Sequence, residues 1–296
     1  EGSAAHERAR ALGEVRVHAE RGAENEAELA RRIGNADVAI NIRSYARFTE
    51  AVFRACPRMK LISIWGTGTD NIDLAAAALH GVTVCNTPGV NAYAVAEHTI
   101  ALMLAVARRI PQIDRGLRTG AWPRDMLEQL CGKTLVVFGA GAIGARVAQL
   151  ARGFGMEVLT WSVRGDTAAT KDDFLRRADF VTLHLRLVPE TRGFIGRREF
   201  ALMRPGAFLI NTARGPLVDR EALLEALASR SVAGAGLDVF HDEPVKPDDA
   251  LLLTGNTVLS PHNAGQTPEV RRDGLLRAIE NVEGFLSGKP INVVRS

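Results

Sequence analysis

The chain has 296 residues, 46% hydrophobic and 24% charged, with a formal net charge of +3, an ordinary soluble composition long enough for two domains with sizeable cores. Its basic residues fall in scattered pairs such as Arg108-Arg109 and Arg176-Arg177 that alternate with acids, and no basic stripe interleaved with aromatics points to nucleic acid. The longest clean apolar run, Ile100 to Ala107, is far too short to cross a bilayer, so no membrane span is expected.

From the N-terminus, short strand-like and helix-like segments alternate. Strands are expected at 15–17, 38–42, 61–64 and 82–84, with helical patterns over Glu26 to Ile33 and Phe48 to Ala55. Such alternation argues for a parallel sheet with helices on its faces. Thr87-Pro88-Gly89 interrupts the series, and a long helix follows from about Asn91 to Arg109. A second series of strands is expected at 135–138, 157–161, 180–185, 207–210, 235–239 and 257–260, which fits a doubly wound dinucleotide fold. A last helix, Pro268 to Leu286, reads as the return to the first domain. The expected class is therefore α/β, with two Rossmann-like parallel-sheet domains. The discontinuous one comprises 1–90 and 268–296, and the inserted cofactor domain comprises 91–267.

Between the expected strand at 135–138 and the helix from Ile143 stands Gly139-Ala140-Gly141-Ala142-Ile143-Gly144. Glycines at these spacings let the chain turn tightly, let a pyrophosphate approach bare backbone, and let the helix pack close to the strand. The N–H groups at the helix start then face the phosphate charge. Glycine-rich strand–helix turns also arise for packing alone, so this motif needs company.

Company is spread through the chain. Gly66-Thr67-Gly68-Thr69-Asp70-Asn71-Ile72-Asp73, Asn91 to His98, Gly139 to Gly144 and Pro189-Glu190-Thr191-Arg192-Gly193 come first. They are followed by Asn211-Thr212-Ala213-Arg214-Gly215-Pro216-Leu217-Val218-Asp219, by Asp238-Val239-Phe240 with Asp242-Glu243-Pro244, and by Ser260-Pro261-His262-Asn263-Ala264-Gly265. In order and separation, this set resembles the D-isomer-specific 2-hydroxyacid dehydrogenases. The resemblance implies a two-domain oxidoreductase with an interdomain active site. It implies hydride exchange between a nicotinamide and a small 2-oxo or 2-hydroxy acid, and a homodimer paired through the cofactor domains. The family normally begins with a further strand, so an N-terminal segment is expected before Glu1, where the sequence opens without methionine. No signal peptide is visible.

Reducing a 2-oxo acid needs a cation for the carboxylate, an acid for the ketone oxygen, and a group that keeps that acid protonated and aimed. Arg214 follows a strand and a turn of small residues, and its planar fork matches a carboxylate. The resemblance assigns it substrate binding and polarisation. It also makes His262 the general acid for reduction and base for oxidation, roles that suit an imidazole, and makes Glu243 its partner, since a nearby carboxylate favours imidazolium. Formate dehydrogenases of the same superfamily carry glutamine in that role, so Glu243 argues against formate. Backbone N–H groups of Gly66, Thr67 and Gly68 are expected to bind the substrate carboxylate. Arg43 and Asn91 are expected to line the cleft, although Asn91 suits equally well as the N-cap of the long helix.

For the cofactor, Gly139, Gly141, Ala142, Ile143 and Gly144 are expected to hold the pyrophosphate, and Thr212 and Ala213 to make backbone contacts. Asp238 resembles the family's acceptor for the nicotinamide carboxamide, and His184 and Thr87 are expected to line the cleft. An NAD site usually places an acid at the end of the second strand. Here Ser162 stands there, with Arg164 two residues on, a hydroxyl and a cation that suit a 2′-phosphate. NADP(H) is therefore favoured and NAD(H) left open. Glyoxylate or hydroxypyruvate reduction is the first expectation, and D-3-phosphoglycerate oxidation or a nucleotide-sensing, corepressor-like binding role are the alternatives. Cys56, Cys85 and Cys131 are odd in number and far apart, which implies no metal centre, no disulfide framework and a reducing, cytoplasmic setting.

Overall fold

The computed structural model describes residues 4–20, 23, 25–42, 45–162 and 170–294. The chain divides into two compact units, Glu1–Asn91 with Thr267–Ser296, and Ala92–Gln266.

The first unit opens with α1 (Ala4–Arg10) and α2 (Glu26–Ile33), the latter capped by the Asn25 side chain, which accepts from the Glu28 N–H at 2.8 Å. Then come β1 (Val38–Asn41), α3 (Glu50–Ala55), β2 (Leu61–Ile64), α4 (Leu74–Leu79) and β3 (Thr83–Cys85). The strands form a parallel sheet in sequential order, β1-β2-β3. The central strand β2 is buried at all four positions, so it shows no alternation, and its one polar residue, Ser63, is hydrogen-bonded. Residues 15–17, expected as a strand, pair with nothing in either sheet. Val17 is 48% exposed, and a three-residue segment with only Val15 and Val17 on its apolar face gains too little to offset the entropy of ordering an edge.

The second unit begins with α5 (Ala92–Ala107) and α6 (Ile110–Arg118). It continues through β4 (Thr134–Phe138), α7 (Ala142–Gly153), β5 (Glu157–Trp161), α8 (Lys171–Arg177), β6 (Phe180–Leu183), α9 (Arg197–Leu202), β7 (Ala207–Asn211), α10 (Arg220–Ala228), β8 (Val232–Leu237) and β9 (Thr257–Leu259). Its six strands are all parallel, in the order β5-β4-β6-β7-β8-β9. The order reverses beside β4, which places the switch point at the carboxyl ends of β4 and β6, where open sheets take their ligands. Alternation along β4 divides the core. Leu135 and Val137 face a cluster with α5 and α7, and Val136 and Phe138 face one with α8 and α10.

α5 is buried on most of its circumference, and Ala96, Thr99 and Met103 are wholly enclosed. It lies hard against β8. A Cβ on Gly236 would stand 3.0 Å from Leu102 Cβ, and one on Gly234 would stand 2.8 Å from Val106 Cγ2 and 2.5 Å from the Asn256 carbonyl. The glycines in β8 are thus the condition for seating this helix on the sheet.

The chain returns to the first unit as α11 (Pro268–Leu286), started by Pro268 and by Thr267, whose Oγ1 accepts from the Val270 N–H. It packs on β2 and ties it with polar bonds: Ser63 Oγ donates to the Ala278 carbonyl at 2.8 Å and Trp65 Nε1 to the Val270 carbonyl at 3.2 Å. Gly274 makes the seat for that indole, because a Cβ there would lie 1.9 Å from Trp65 Nε1. Gly274→Ala is expected to destabilise the chain by about 1–3 kcal/mol, as overpacking does, with a shifted tryptophan emission. Unchanged melting and emission would contradict the seat.

Candidate active site

Two turns, after β7 and after β9 on either side of β8, hold the expected site residues Arg214 and His262. The first follows β7. The Asn211 side chain folds back over it, with Oδ1 accepting from the Ala213 N–H at 3.0 Å and Nδ2 donating to the Arg214 carbonyl at 2.8 Å. Arg214 is thereby presented at the strand end, half-buried, with Nη1 donating to the Ala213 carbonyl at 2.7 Å. Gly215 lies so close to the segment after β8 that a Cβ would come within 2.1 Å of the Phe240 carbonyl carbon. Only glycine lets these two strand-end loops stack.

The second turn follows β9. Asp238, just past β8, is fully buried. Its Oδ1 accepts from Ser260 Oγ at 2.6 Å and from the Asn263 N–H at 3.0 Å, its Oδ2 accepts from the Ala264 N–H at 3.0 Å, and its carbonyl accepts from the His262 N–H at 2.7 Å. Burial would raise this carboxyl's pKa. Bonds from His98, Ser260 and the two N–H groups outweigh that and hold it below the ordinary carboxylate value. His262 itself takes a left-handed backbone, φ 51°, which non-glycine residues rarely adopt.

In that conformation His262 Nδ1 meets Glu243 Oε2 at 2.6 Å. Glu243 Oε1 also accepts from the Phe240 N–H at 3.0 Å. Burial acts to raise the Glu243 pKa, but the His262 bond and charge, the Phe240 N–H and the Arg214 charge together hold it low. An ionised Glu243 is an acceptor only, so the bond places the proton on His262 Nδ1 and leaves Nε2 for a reacting group. Arg214 and His262, expected from widely separated motifs, thus both bear on the Glu243 carboxylate.

At the head of β4 and α7 the glycines divide the work. Gly139 has φ 105°, and a Cβ there would lie 2.5 Å from the His184 carbonyl; one on Gly144 would lie 1.9 Å from the Gly139 carbonyl. Those two serve close packing. A Cβ on Gly141 would meet no atom of the described residues within 4 Å, so no packing among them requires glycine there. Gly141 is the N-cap of α7 and makes no side-chain cap bond, which leaves the N–H groups of Ala142 and Ile143 uncapped by a side chain. Open backbone at a helix start fits a dinucleotide pyrophosphate.

The remaining expected residues are more dispersed. Ser162 lies half-buried just past β5, whereas Arg164 and Arg43 lie outside the described residues. The His184 ring bonds Thr182 Oγ1 at 3.0 Å, and desolvation pushes its pKa down to about 3, so it is neutral. Thr212 Oγ1 is 2.9 Å from Thr99 Oγ1. In the first unit the expectation for Gly66 needs correction. Its N–H is spent on Thr87 Oγ1 at 2.7 Å, because Thr87 staples the start of the loop. Among the described residues no acceptor takes the N–H groups of Thr67 and Gly68. Asn91 precedes α5, and its buried Oδ1 has no hydrogen-bond partner among the described residues, so it is not serving as a side-chain cap.

Sequence reasoning assigned no role to Asn211, Thr99, His98 or Ser260, although all but Thr99 lie within the quoted motifs. Their polarity inside otherwise apolar strand-end and helix segments was the available signal.

A doubly wound sheet with an open glycine turn and an acid-backed imidazole beside an arginine defines a nucleotide-dependent oxidoreductase class. The family model described as D-isomer specific 2-hydroxyacid dehydrogenase, NAD binding domain, matches residues 100–264, and the chain belongs to this family. It is 38% identical over 274 residues to a D-3-phosphoglycerate dehydrogenase of Methanocaldococcus jannaschii, covering 88% of this chain and 52% of that protein. It is 41% identical over 257 residues to a glyoxylate reductase of Aeropyrum pernix, covering 80% of this chain and 77% of that one. The chain therefore spans about half the length of the phosphoglycerate dehydrogenase it matches. Among solved structures, an acyclic imino acid reductase in complex with NADPH and D-Arg superposes with a TM-score of 0.91 at 29% identity, over 100% of this chain and 96% of that one.

The depressed Asp238 pKa carries a stability consequence. Its folded value lies below the unfolded one, so its contribution is present above about pH 4 and is lost as pH falls through the folded value. Asp238→Asn should cost about 1–3 kcal/mol at neutral pH by turning an amide on buried donors. The melting-temperature gap to the parent should close as the pH drops below about 4. A gap independent of pH would refute the charge-based account.

Proposed function

We propose that this protein reduces a small 2-oxo acid to its D-2-hydroxy acid with a nicotinamide dinucleotide, and runs the reverse oxidation. The observation that carries this reading is the 2.6 Å contact of His262 Nδ1 with Glu243 Oε2, next to the charge of Arg214. In this reading Ala92–Gln266 is the cofactor unit and Glu1–Asn91 with Thr267–Ser296 the substrate unit.

The nicotinamide, when bound, donates or accepts the hydride. His262 Nε2 delivers a proton to the ketone oxygen in reduction and removes it from the hydroxyl in oxidation. Glu243 holds the ring by Nδ1 and offsets the charge it gains. Arg214 takes the carboxylate and polarises the carbonyl. The unspent N–H groups of Thr67 and Gly68 supply further donors for the carboxylate, and the orphaned acceptor of Asn91 suits a ligand hydroxyl. Gly141, Ala142 and Ile143 hold the pyrophosphate. Ser162 and Arg164, in place of an acid, favour the 2′-phosphate of NADP(H). The family relation to glyoxylate reductases makes glyoxylate and hydroxypyruvate the first substrates to test.

Two further readings accompany this one. Exposed apolar side chains on and after α6 — Ile110, Leu117, Trp122 and Met126, the last 98% exposed — suit a homodimer. Three free cysteines suit a reducing cytoplasm, and among the described residues no helix is long and apolar enough to cross a membrane.

The decisive assay follows oxidation of NADPH and NADH with glyoxylate, hydroxypyruvate, pyruvate and 3-phosphohydroxypyruvate. Turnover is expected with glyoxylate or hydroxypyruvate and a preference for NADPH. His262→Ala and Arg214→Ala should each lower kcat by about 100-fold or more. Reduction should slow and oxidation quicken as pH rises, because one needs the imidazolium and the other the free base. Full turnover in either variant would overturn the site, and an NADH preference would overturn the cofactor choice.

A further inference from the structure

Two consecutive residues of α5 reach the two turns that carry the chemistry. Thr99 Oγ1 donates to the Val95 carbonyl at 2.7 Å and stands 2.9 Å from Thr212 Oγ1. A hydroxyl has one proton, and that of Thr99 is committed to its own helix, so Thr212 is the donor of the second bond. Thr212 is the second residue of the Asn211–Arg214 turn. On the other side of the same helix step, His98 Nε2 lies 2.8 Å from Ser260 Oγ and 3.5 Å from Asp238 Oδ1. Ser260 spends its proton on Asp238 at 2.6 Å. His98 Nε2 must therefore carry the proton and donate to Ser260. The resulting chain runs from His98 through Ser260 to Asp238, and Asp238 grips the turn of His262 by three of its backbone N–H groups.

The threonine contact is sheltered, and the His98–Ser260 contact is half-buried. Thr99 is wholly buried and Thr212 nearly so. The helix that carries them is seated hard against β8, at Gly234 and Gly236. We propose that His98 and Thr99 are positioning residues: α5 acts as one rigid spacer that sets where the Arg214 turn and the His262 turn stand relative to each other. Neither residue touches the reacting atoms. The consequence for catalysis rests on the reading of Arg214 and His262 given above. An error of about 1 Å in such a spacing can cost about 100-fold in rate, so a spacer shared by both turns has more effect than its two hydrogen bonds have on stability.

The test uses the full chain with His98→Ala, His98→Gln, Thr99→Val and the pair His98→Ala with Thr99→Val. For each, kcat and KM are measured with glyoxylate and NADPH, alongside melting temperature, nucleotide dissociation constant and the NMR signal of the His262 Nδ1 proton in its bond to Glu243. His98→Ala and Thr99→Val should each lower kcat about 10-fold with nucleotide affinity changed less than about 2-fold. His98→Gln, which retains an N–H donor toward Ser260, should recover to within about 3-fold of the parent. The double variant should lose less than the product of the singles, because either change already frees the shared spacing. The Nδ1 proton should broaden or shift in His98→Ala and be restored in His98→Gln.

Lower melting temperatures with unchanged kcat and an unmoved Nδ1 proton would reduce both residues to packing and overturn the proposal. So would a His98→Gln variant as impaired as His98→Ala. The catalytic reading fails separately: a parent enzyme with no turnover on any 2-oxo acid would refute that reading, while a His262 proton that still responds to His98→Ala would uphold the spacer.

Discussion

The site depends on the 2.6 Å contact between His262 Nδ1 and Glu243 Oε2, and that contact depends on a backbone conformation histidine would not choose. A left-handed non-glycine residue costs on the order of 1 kcal/mol. Asp238 offsets it: its buried carboxylate and its carbonyl together engage the serine hydroxyl and three successive N–H groups of the turn. The carboxylate pays its own desolvation through those same donors, which is why its pKa falls below normal despite complete burial. Strain at His262 and a charge without solvent, each unfavourable alone, offset each other within one turn.

The scaffold that makes this possible is the parallel sheet with α5 on one face. Parallel strands deliver all their carboxyl ends to one edge, so turns after β4, β7, β8 and β9 gather where no single strand could bring them. Close approach between those turns is then limited by Cβ atoms, and glycine appears where the limit is reached: Gly215 against Phe240, Gly144 against Gly139, Gly236 against Leu102. Gly141 is the exception, with open space where its neighbours have contacts. The difference separates a glycine kept by packing from one that leaves room for a ligand.

Much of this was legible in the sequence. The apolar runs at 135–138 and 207–210 predicted buried parallel strands because strands covered on both faces need no alternation, and β4 and β7 occupy them. The 15–17 segment failed because periodicity over three residues says nothing about whether a neighbouring strand exists. Arg214, Glu243 and His262 were singled out through the family resemblance of the motifs that hold them, which supply the cation, proton donor and carboxylate that 2-oxo acid reduction calls for. Gly66 was misread as a free donor, because nothing in the sequence reveals that Thr87, 21 residues on, takes its N–H. His98 and Ser260 were visible within motifs, but their bond joins residues 162 positions apart, and only the folded sheet brings them within reach.

The two strand-end clamps show how side-chain chemistry follows from the turn it must satisfy. The turn after β7 offers the Asn211 side chain one N–H, from Ala213, and one carbonyl, from Arg214. An amide has a donor and an acceptor and matches both; a carboxylate would set an oxygen against the Arg214 carbonyl. The turn after β9 offers Asp238 only donors: a hydroxyl and two N–H groups. A carboxylate accepts them all, whereas an amide would aim its NH₂ at a donor inside the core, where an unmade bond is costly. Asparagine at one strand end and aspartate at the next, nearly identical in shape, are therefore not interchangeable. The His98 Nε2–H donates to Ser260, whose hydroxyl donates to Asp238, so the helix proposed to space the two turns also extends the hydrogen-bond chain that satisfies the second.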